Sequence, residues 1–401
     1  MGKEDLPMPW IETCVMDQKI EVVGAYLKGG VTITALASAY GVSRKTIHKW
    51  VSRYEAQGPE GLAERSRAPK RCPHATDDVV VAALIDAKQR FPSWGPKKLI
   101  DLLRQEQPDC HWPADSTAGE ILKRFGLVKK RRVKRKVPAD GLPFSECNQS
   151  NQCWSADFKG DFRLGNKQRC YPLTITDNYS RYLLTCRSLP SIRYQDVRGW
   201  FEWVFREYGL PDTIRTDNGV PFASRSLGGL SQLSKMWIDQ GIRPERIKPG
   251  RPQQNGRHER MHRSLKDAVC KQPGYSLLQQ QRRFDRFVQE YNELRSHEGL
   301  ERQTPASVYV PSNRVYSSLI LPPEYDSTMT VRSIRHNGEM KWLNEKLYVS
   351  ELLAKTRVGL LQTDNHLWDI YYRFQHIGRL NERTMKIEQL TEWRCSTFEK
   401  V

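Results

Sequence analysis

Seven of the eight residues from 129 to 136, KKRRVKRK, are basic. Packed inside a fold, these charges would repel one another and lose their hydration, so the block must run through solvent or along an acidic partner. A chain interrupted in this way does not close around one core. It is expected to form separate modules on either side of the block. Its 401 residues leave room for two to four of them at about 150 residues each.

The basic excess is not confined to that block. The formal net charge is +18, from 64 Lys and Arg against 46 Asp and Glu. Such a balance calls for a polyanionic partner, nucleic acid first and an acidic membrane surface second. The longest apolar run, residues 79–85, has seven residues, against the ~20 that a membrane helix needs. The start, MGKEDLPMPW, has no apolar signal core, and Leu6 stands where a myristoylation signal wants Ser or Thr. Nine cysteines are scattered without a Cys-x-x-Cys pair. They read as reduced thiols, and Cys147 and Cys153 lack the spacing and the His pair of a zinc knuckle. No membrane contact and no small-molecule cofactor are expected.

Residues 16–28 carry a helical stripe of Ile20, Val23, Tyr26 and Leu27, ended by Gly29-Gly30. In ITALASAYGVSRKTIHKW, Leu36, Ala37 and Tyr40 face inward from a short helix. Gly41 then breaks the chain, and Ser43 caps a basic helix that runs past Lys49 to Tyr54. Helix, glycine turn and capped basic helix form the helix-turn-helix pattern, whose second helix enters the major groove by its first residues. Here those are Ser43, Arg44, Lys45 and His48. Two packed helices with a solvated basic face are the alternative. GPEGLAERSRAPKRCP reads as a linker, with Arg65, Arg67, Lys70 and Arg71 able to track phosphates. Residues 77–128 form a second helical unit, either another helix-turn-helix or a spacer. Val80, Ala83, Leu84 and Ala87 stripe its first helix, and Lys97 to Leu103 follow a Trp94-Gly95-Pro96 break. Ser116 or Thr117 caps the third, with Ile121, Leu122 and Phe125 inward.

From about residue 150 the period changes from 3.6 to 2. In WSADFK, Trp154, Ala156 and Phe158 face one way and Ser155, Asp157 and Lys159 the other. Strands are predicted at 171–176 and 182–186 around an Asp177-Asn178 turn, then a helix at 195–208 and a strand at 213–216 ending in Asp217-Asn218-Gly219. A helix at 227–240, a KPGRPQQNG loop and a basic helix from Arg257 to Cys270 complete the order. Three strands on short turns, then strands alternating with helices, give a mixed sheet covered by helices. A further helix over 277–294 follows. Five short strand-like runs between 328 and 385 predict a small β-barrel.

Phosphoryl transfer on DNA needs an activated nucleophile and a stabilised leaving oxygen. Two divalent ions ~4 Å apart supply both, and a few carboxylates hold them. Asp157 lies on the polar face of the first strand and Asp217 at the C-terminal end of another, where ligand sites of open sheets gather. Glu259 lies in the first turn of the basic helix, seven residues before Lys266 and on the same face. Arg257, Arg260 and Arg263 share that helix. From Arg243 to Lys271 nine Arg or Lys stand against three Asp or Glu, a surface suited to phosphate as well as metal. Taken singly, a strand-end Asp is more often a turn former and a helical Glu a solvated surface group.

At these residues the chain resembles a known family. TDNGVPF at 216–222 and GRPQQNGRHERMHRSLK at 250–266 resemble motifs of bacterial insertion-sequence DDE transposases with a retroviral-integrase-type catalytic core. Asp157 in WSADFKGDF, DNYSRY at 177–182 and YNELRSHEGLERQTPASVY at 291–309 are similar to further segments of that family. The resemblance implies an RNase H-like fold, Asp157, Asp217 and Glu259 as ligands of two Mg2+ (Mn2+ in their place), and Lys266 on element-end DNA. It also implies cleavage and joining of strands at the element's ends by a homo-oligomer assembled on DNA, in the bacterial cytoplasm at the nucleoid. The 41 residues between the second and third acids exceed the spacing common in the superfamily. The extra length is expected in GLSQLSKMWIDQG, and Glu245 is the alternative third acid. A regulator with a decayed core, or a nuclease that does not join strands, would share most of these features.

The expected architecture is multidomain α+β. A helix-turn-helix (1–62), a linker (63–76), a second helical domain (77–128) and a basic linker (129–147) lead to an RNase H-like mixed α/β core (148–272). A helical extension (273–320) and a small β-barrel (321–390) follow.

Overall fold

The structure, a computed structural model, describes residues 14–65, 75–128, 147–247 and 256–389. The basic run 129–136, Arg67, Lys70 and Arg71 of the first linker, and the loop 248–255 lie outside the described residues. The chain divides into two compact units, Met1–Ala75 and Thr76–Val401.

The first unit is three helices, α1 (Val15–Leu27), α2 (Ile33–Ala39) and α3 (Arg44–Gln57), closed by a 3-10 turn at Gly58–Leu62. Ser43 caps α3 as expected, its side chain accepting the Thr46 N–H at 3.1 Å. The core is Val22, Val23, Leu36, Ala37, Ile47, Val51 and Leu62. Of the expected inward residues, Ile20, Leu27 and Tyr40 are exposed. The stripe on α1 is rotated because Lys19 is drawn in, its ammonium donating to the Leu62 carbonyl at 3.1 Å and to Glu64 at 2.7 Å.

The second unit begins with α4 (Asp78–Arg90), α5 (Pro96–Glu106) and α6 (Asp115–Arg124) around Leu84, Leu99, Leu103, Ile121 and Leu122. Neither Ser116 nor Thr117 caps α6: Ala114 is the N-cap and Asp115 the first helical residue, while Phe125 is exposed. These helices are more than a spacer. Arg302, beyond the sheet domain, reaches back to Asp101 and Asp115 at 2.5 and 2.9 Å. Lys98 donates to the Ser296 carbonyl at 2.5 Å.

The central sheet is built from β1 (Cys153–Phe158), a short β2 (Phe162–Arg163), β3 (Arg169–Asp177), β4 (Leu183–Leu189), β5 (Thr213–Thr216) and β6 (Arg243–Arg246). β3 pairs antiparallel with β1, β2 and β4, and β1, β5 and β6 run parallel. β6 is a strand that the sequence reading missed, because RPER offers no apolar alternation. One face packs under α7 (Tyr194–Tyr208) and α8 (Gln232–Asp239), with Trp154, Ala156, Leu173, Ile175, Phe201, Phe205 and Trp237 in the core. The other carries α9 (Gly256–Leu265) and α10 (Leu277–Gln289), through Leu183, Cys186, Met261, Leu265, Phe284 and Phe287. The predicted basic helix is α-helical only to Leu265, and Lys266–Cys270 is a π turn. A four-residue helix, α11 (Pro305–Val308), follows.

The C-terminal strands do not close into the expected barrel. Seven strands form there, β7 (Thr330–Ser333), β8 (Glu339–Trp342), β9 (Glu345–Tyr348), β10 (Arg357–Asp364), β11 (Leu367–Tyr372), β12 (Gln375–Asn381) and β13 (Lys386–Glu388). Five make an open antiparallel sheet in the order β13-β12-β11-β10-β7, and β8-β9 is a separate hairpin. The two share a core that also takes in Leu230 and Ile238. The sheet is therefore seated on the central domain rather than wrapped around itself. Asp239 of α8 fastens it, accepting from Tyr372 Oη at 2.5 Å, Arg373 Nε at 3.0 Å and Lys235 Nζ at 2.8 Å. Asp239→Ala removes three charge-assisted or phenolic bonds from a carboxylate that is 9% exposed. It is expected to cost about 1.5–3 kcal/mol, read as a lower urea midpoint, with earlier proteolysis within residues 321–389.

Candidate active site

The alternation along β1 sends Trp154 and Ala156 into the α7 core and turns Asp157 to the opposite face. Its register partner there is Thr174 of β3, and α9 lies over the same face. Burial pushes the Asp157 carboxyl up to about 7, with the charge of Asp217 as the next cause. Glu259 adds to the repulsion, while the Phe158 N–H and Lys159 oppose it. Two of the acids singled out in the sequence, Asp217 after β5 and Glu259 on α9, thus act electrostatically on the third, Asp157 on β1.

Asp217 directly follows β5 and accepts the Gly219 N–H through Oδ1 at 3.0 Å, while Asn218 donates to the Ile247 carbonyl at 2.9 Å. A Cβ at Gly219 would lie 3.1 Å from Asp217 Oδ2, tighter than ordinary contact. The Asp-Asn-Gly turn therefore leaves room for that carboxylate. Glu259 is exposed in the first turn of α9. Arg260, Arg263 and Lys266 are exposed along the same helix and its π turn. Arg257 is partly committed, donating to the Asn178 carbonyl at 3.0 Å. Glu245, the alternative third acid, lies on β6 in register with Arg215 and pairs with it at 2.9 Å, both side chains under 20% exposed. In the first unit, Ser43, Arg44, Lys45 and His48 are all exposed at the start of α3.

Two residues were missed. His258 and His262, one turn apart on α9, are 1% and 6% exposed and sit against β3. His258 engages Thr174 Oγ1 through Nε2 and Thr176 Oγ1 through Nδ1, each at 2.8 Å. His262 Nε2 meets the same Thr174 oxygen at 2.7 Å, and its Nδ1 lies 3.8 Å from Asp157 Oδ2. Burial lowers their pKa to about 3 for His258 and about 2 for His262. The contact between His262 and Asp157 is therefore not an ion pair. The signal was present in the sequence as histidines four apart flanking Glu259, opposite threonines two apart on β3.

Among the described residues, Asp157, His258 and His262 also form the group whose ligand atoms come within 4.8 Å of one another. A buried carboxyl held near pKa 7 beside two further acids is a donor set that suits a divalent cation, which would cancel the repulsion. In the metal-free protein the raised pKa has a definite thermodynamic sign. The folded state holds a proton that the unfolded chain, near 3.8, releases earlier. The stabilising difference is complete below pH 3.8 and is lost as pH rises through 7. Without divalent ions, Asp157→Asn is expected to raise stability at pH 8 by an amount on the order of a few kcal/mol, and to leave it nearly unchanged at pH 4. Urea midpoints measured in chelator across that range test this, and equal effects at both ends would refute it.

Comparison with known proteins agrees with this architecture. Residues 148–252 and 240–305 each match an integrase core domain family. Residues 18–70 match a helix-turn-helix domain and 46–122 a homeodomain-like domain. The uncharacterized 39.2 kDa protein of insertion element IS476 from Xanthomonas euvesicatoria is 26% identical over 279 residues, covering 69% of this chain and 78% of its own. The uncharacterized 31.7 kDa protein of insertion element IS407 from Burkholderia multivorans is 25% identical, covering 58% and 82%. Among solved structures, the HTLV-2 integrase catalytic core domain in complex with magnesium covers 41% of this chain and 99% of its own at 16% identity, with a TM-score of 0.33. The simian T-cell lymphotropic virus intasome in complex with PP2A regulatory subunit B56 gamma covers 71% and 91% at 16% identity, with a TM-score of 0.36. On these matches the chain carries an integrase-type core and helix-turn-helix domains and is similar to proteins of bacterial insertion elements.

Proposed function

We propose that this chain binds the ends of an insertion sequence and catalyses metal-dependent cleavage and transfer of DNA strands, with Asp157, Asp217 and Glu259 as the catalytic acids. The observation that carries the reading is the buried Asp157 carboxyl, its pKa raised first by burial and then by the charges of Asp217 and Glu259, on the sheet face covered by the basic helix α9. The acids would hold two divalent ions, with Mg2+ suited to their oxygen donors and Mn2+ accepted in its place. Bound there, the ions supply an activated attacking oxygen and a neutralised leaving oxygen.

The protein's own residues do the rest. Asp157 is fixed by its ladder to Thr174, and Asp217 by the Gly219 N–H. Arg260, Arg263 and Lys266 offer exposed cations beside Glu259 and bind the phosphates that flank the reacting one. In the first unit, Arg44, Lys45 and His48 present donors to base edges from the start of α3, while Ser43 caps the helix that carries them. End recognition and chemistry are thus assigned to different units. The working form is a homo-oligomer assembled on two DNA ends, in the bacterial cytoplasm at the nucleoid. No described helix is long and apolar enough to cross a membrane. A regulator with a decayed core would not need all three acids. A nuclease without joining would need them, and only product analysis separates the two activities.

Asp217→Asn is expected to abolish both cleavage and joining on an element-end substrate while leaving end binding within about twofold, since a metal cage does not tolerate the loss of a charge. Full activity in that variant would remove Asp217 from the site. Lys266→Ala is expected to weaken DNA binding and to reduce the slope of log affinity against log salt by ~0.9, one phosphate's worth. An unchanged slope would exclude a phosphate contact at Lys266.

A further inference from the structure

We propose that His262 ligates, through Nδ1, the same divalent cation as Asp157, so that the ion site of this chain is a mixed nitrogen–oxygen site. The proposal deepens the functional reading above and rests on it for the presence of an ion at Asp157. What carries it is the proton count of the buried cluster under α9.

Four contacts tie the cluster together. Thr174 Oγ1 lies 3.0 Å from the Asp157 carbonyl, 2.8 Å from His258 Nε2 and 2.7 Å from His262 Nε2, and Thr176 Oγ1 lies 2.8 Å from His258 Nδ1. A carbonyl only accepts, so the single Thr174 hydroxyl proton goes to Asp157. Its oxygen then has two lone pairs left and accepts from both imidazole Nε2–H groups. Each neutral ring carries one N–H. His258 therefore accepts from the Thr176 hydroxyl at Nδ1. In this assignment every one of the four contacts holds a proton. Reversing the Thr174 hydroxyl toward either ring leaves the contact with the Asp157 carbonyl empty.

The consequence falls on His262. With its proton at Nε2, its Nδ1 presents a bare lone pair, 3.8 Å from Asp157 Oδ2. Two acceptors facing each other at that separation call for a positive charge between them: the proton held by Asp157 in the metal-free protein, or a metal ion in its place. Bonds of about 2.0–2.2 Å to imidazole nitrogen and carboxylate oxygen span as much as about 4.2 Å, so one ion reaches both. The other ring nitrogen is already anchored on Thr174, as ligating histidines require of their surroundings. His258 does not qualify, because both of its nitrogens are engaged. An imidazole ligand shifts preference away from Mg2+, which keeps to oxygen, and toward Mn2+ and later divalent metals.

The test uses the full-length protein and Mn2+ as the probe, with spin-echo measurement of nitrogen coupled to the bound ion. Wild type is expected to show one directly coordinated nitrogen, and histidine labelled with 15N at Nδ1 alone is expected to change its signature without any substitution. His262→Gln is expected to remove the coupling and to weaken Mn2+ about tenfold or more, while Mg2+ binding changes by less than about twofold. His258→Asn is expected to retain the nitrogen. Mn2+ that depends on Asp157 but shows no nitrogen, or a nitrogen that survives His262→Gln, would overturn the ligand assignment and leave the three-acid reading standing. Mn2+ binding indifferent to Asp157→Asn would overturn both.

Discussion

Asp157 lies where water is largely excluded and where two further acids raise the local negative potential. A carboxylate in such surroundings prefers its proton near neutral pH, so its charge persists only if the neighbouring structure is rigid and a cation is at hand. The first condition shapes the domain. Rigidity comes from the β1–β3 ladder, where Asp157 faces Thr174, and from α9, which docks over it through the His258 and His262 rings. That helix buries the two polar rings toward the carboxyl, together with the apolar side chains of Met261 and Leu265. The same helix therefore serves as lid of the sheet, carrier of Glu259 and bearer of the exposed Arg260 and Arg263.

Other acids of the domain show what a structural carboxylate looks like. Asp177 is 1% exposed and accepts from the Asn151 N–H, the Ser180 N–H and the Ser180 hydroxyl at 2.6–2.9 Å. It ties the start of β1 to the turn after β3. Glu245 is paired with Arg215. Their oxygens are occupied by donors within the fold. Burial raises the pKa of Asp177 and Asp157 alike, but donors at its oxygens oppose this at Asp177, whereas at Asp157 the charges of other acids add to it. Electrostatic environment, rather than residue type or position at a strand end, separates the two classes.

Much of this was legible in the chain. Period-2 alternation around Asp157 fixed the face it occupies, the Asp-Asn-Gly turn fixed the end of β5, and Ser43 announced α3, because each signal is local. What failed was set by distant contacts. β6 takes its strand form from pairing with β5, not from RPER itself. Ile20 and Leu27 lost their inward places as α1 turned Lys19 toward a buried carbonyl and an acid 43 and 45 residues away. The histidines were overlooked for the same reason: their partners on β3 are more than 80 residues distant. The five strand-like runs were real, but whether strands close into a barrel depends on edge pairing, which alternation does not encode.

The spacing between the second and third acids has a comparable explanation in contacts outside the site. The segment GLSQLSKMWIDQG, expected to hold the extra length, contains α8, whose Trp237 and Leu233 fill the core under the sheet. Its other residues face outward to a different task. Leu230 and Ile238 enter the core of the C-terminal sheet, and Asp239 holds Tyr372 and Arg373. A helix that satisfies two cores at once is constrained on both faces, so it needs residues of its own between β5 and β6. The cost of a longer connection is small, since loop closure grows only logarithmically with length. At its own end α9 is held against β3 by the His258 and His262 rings.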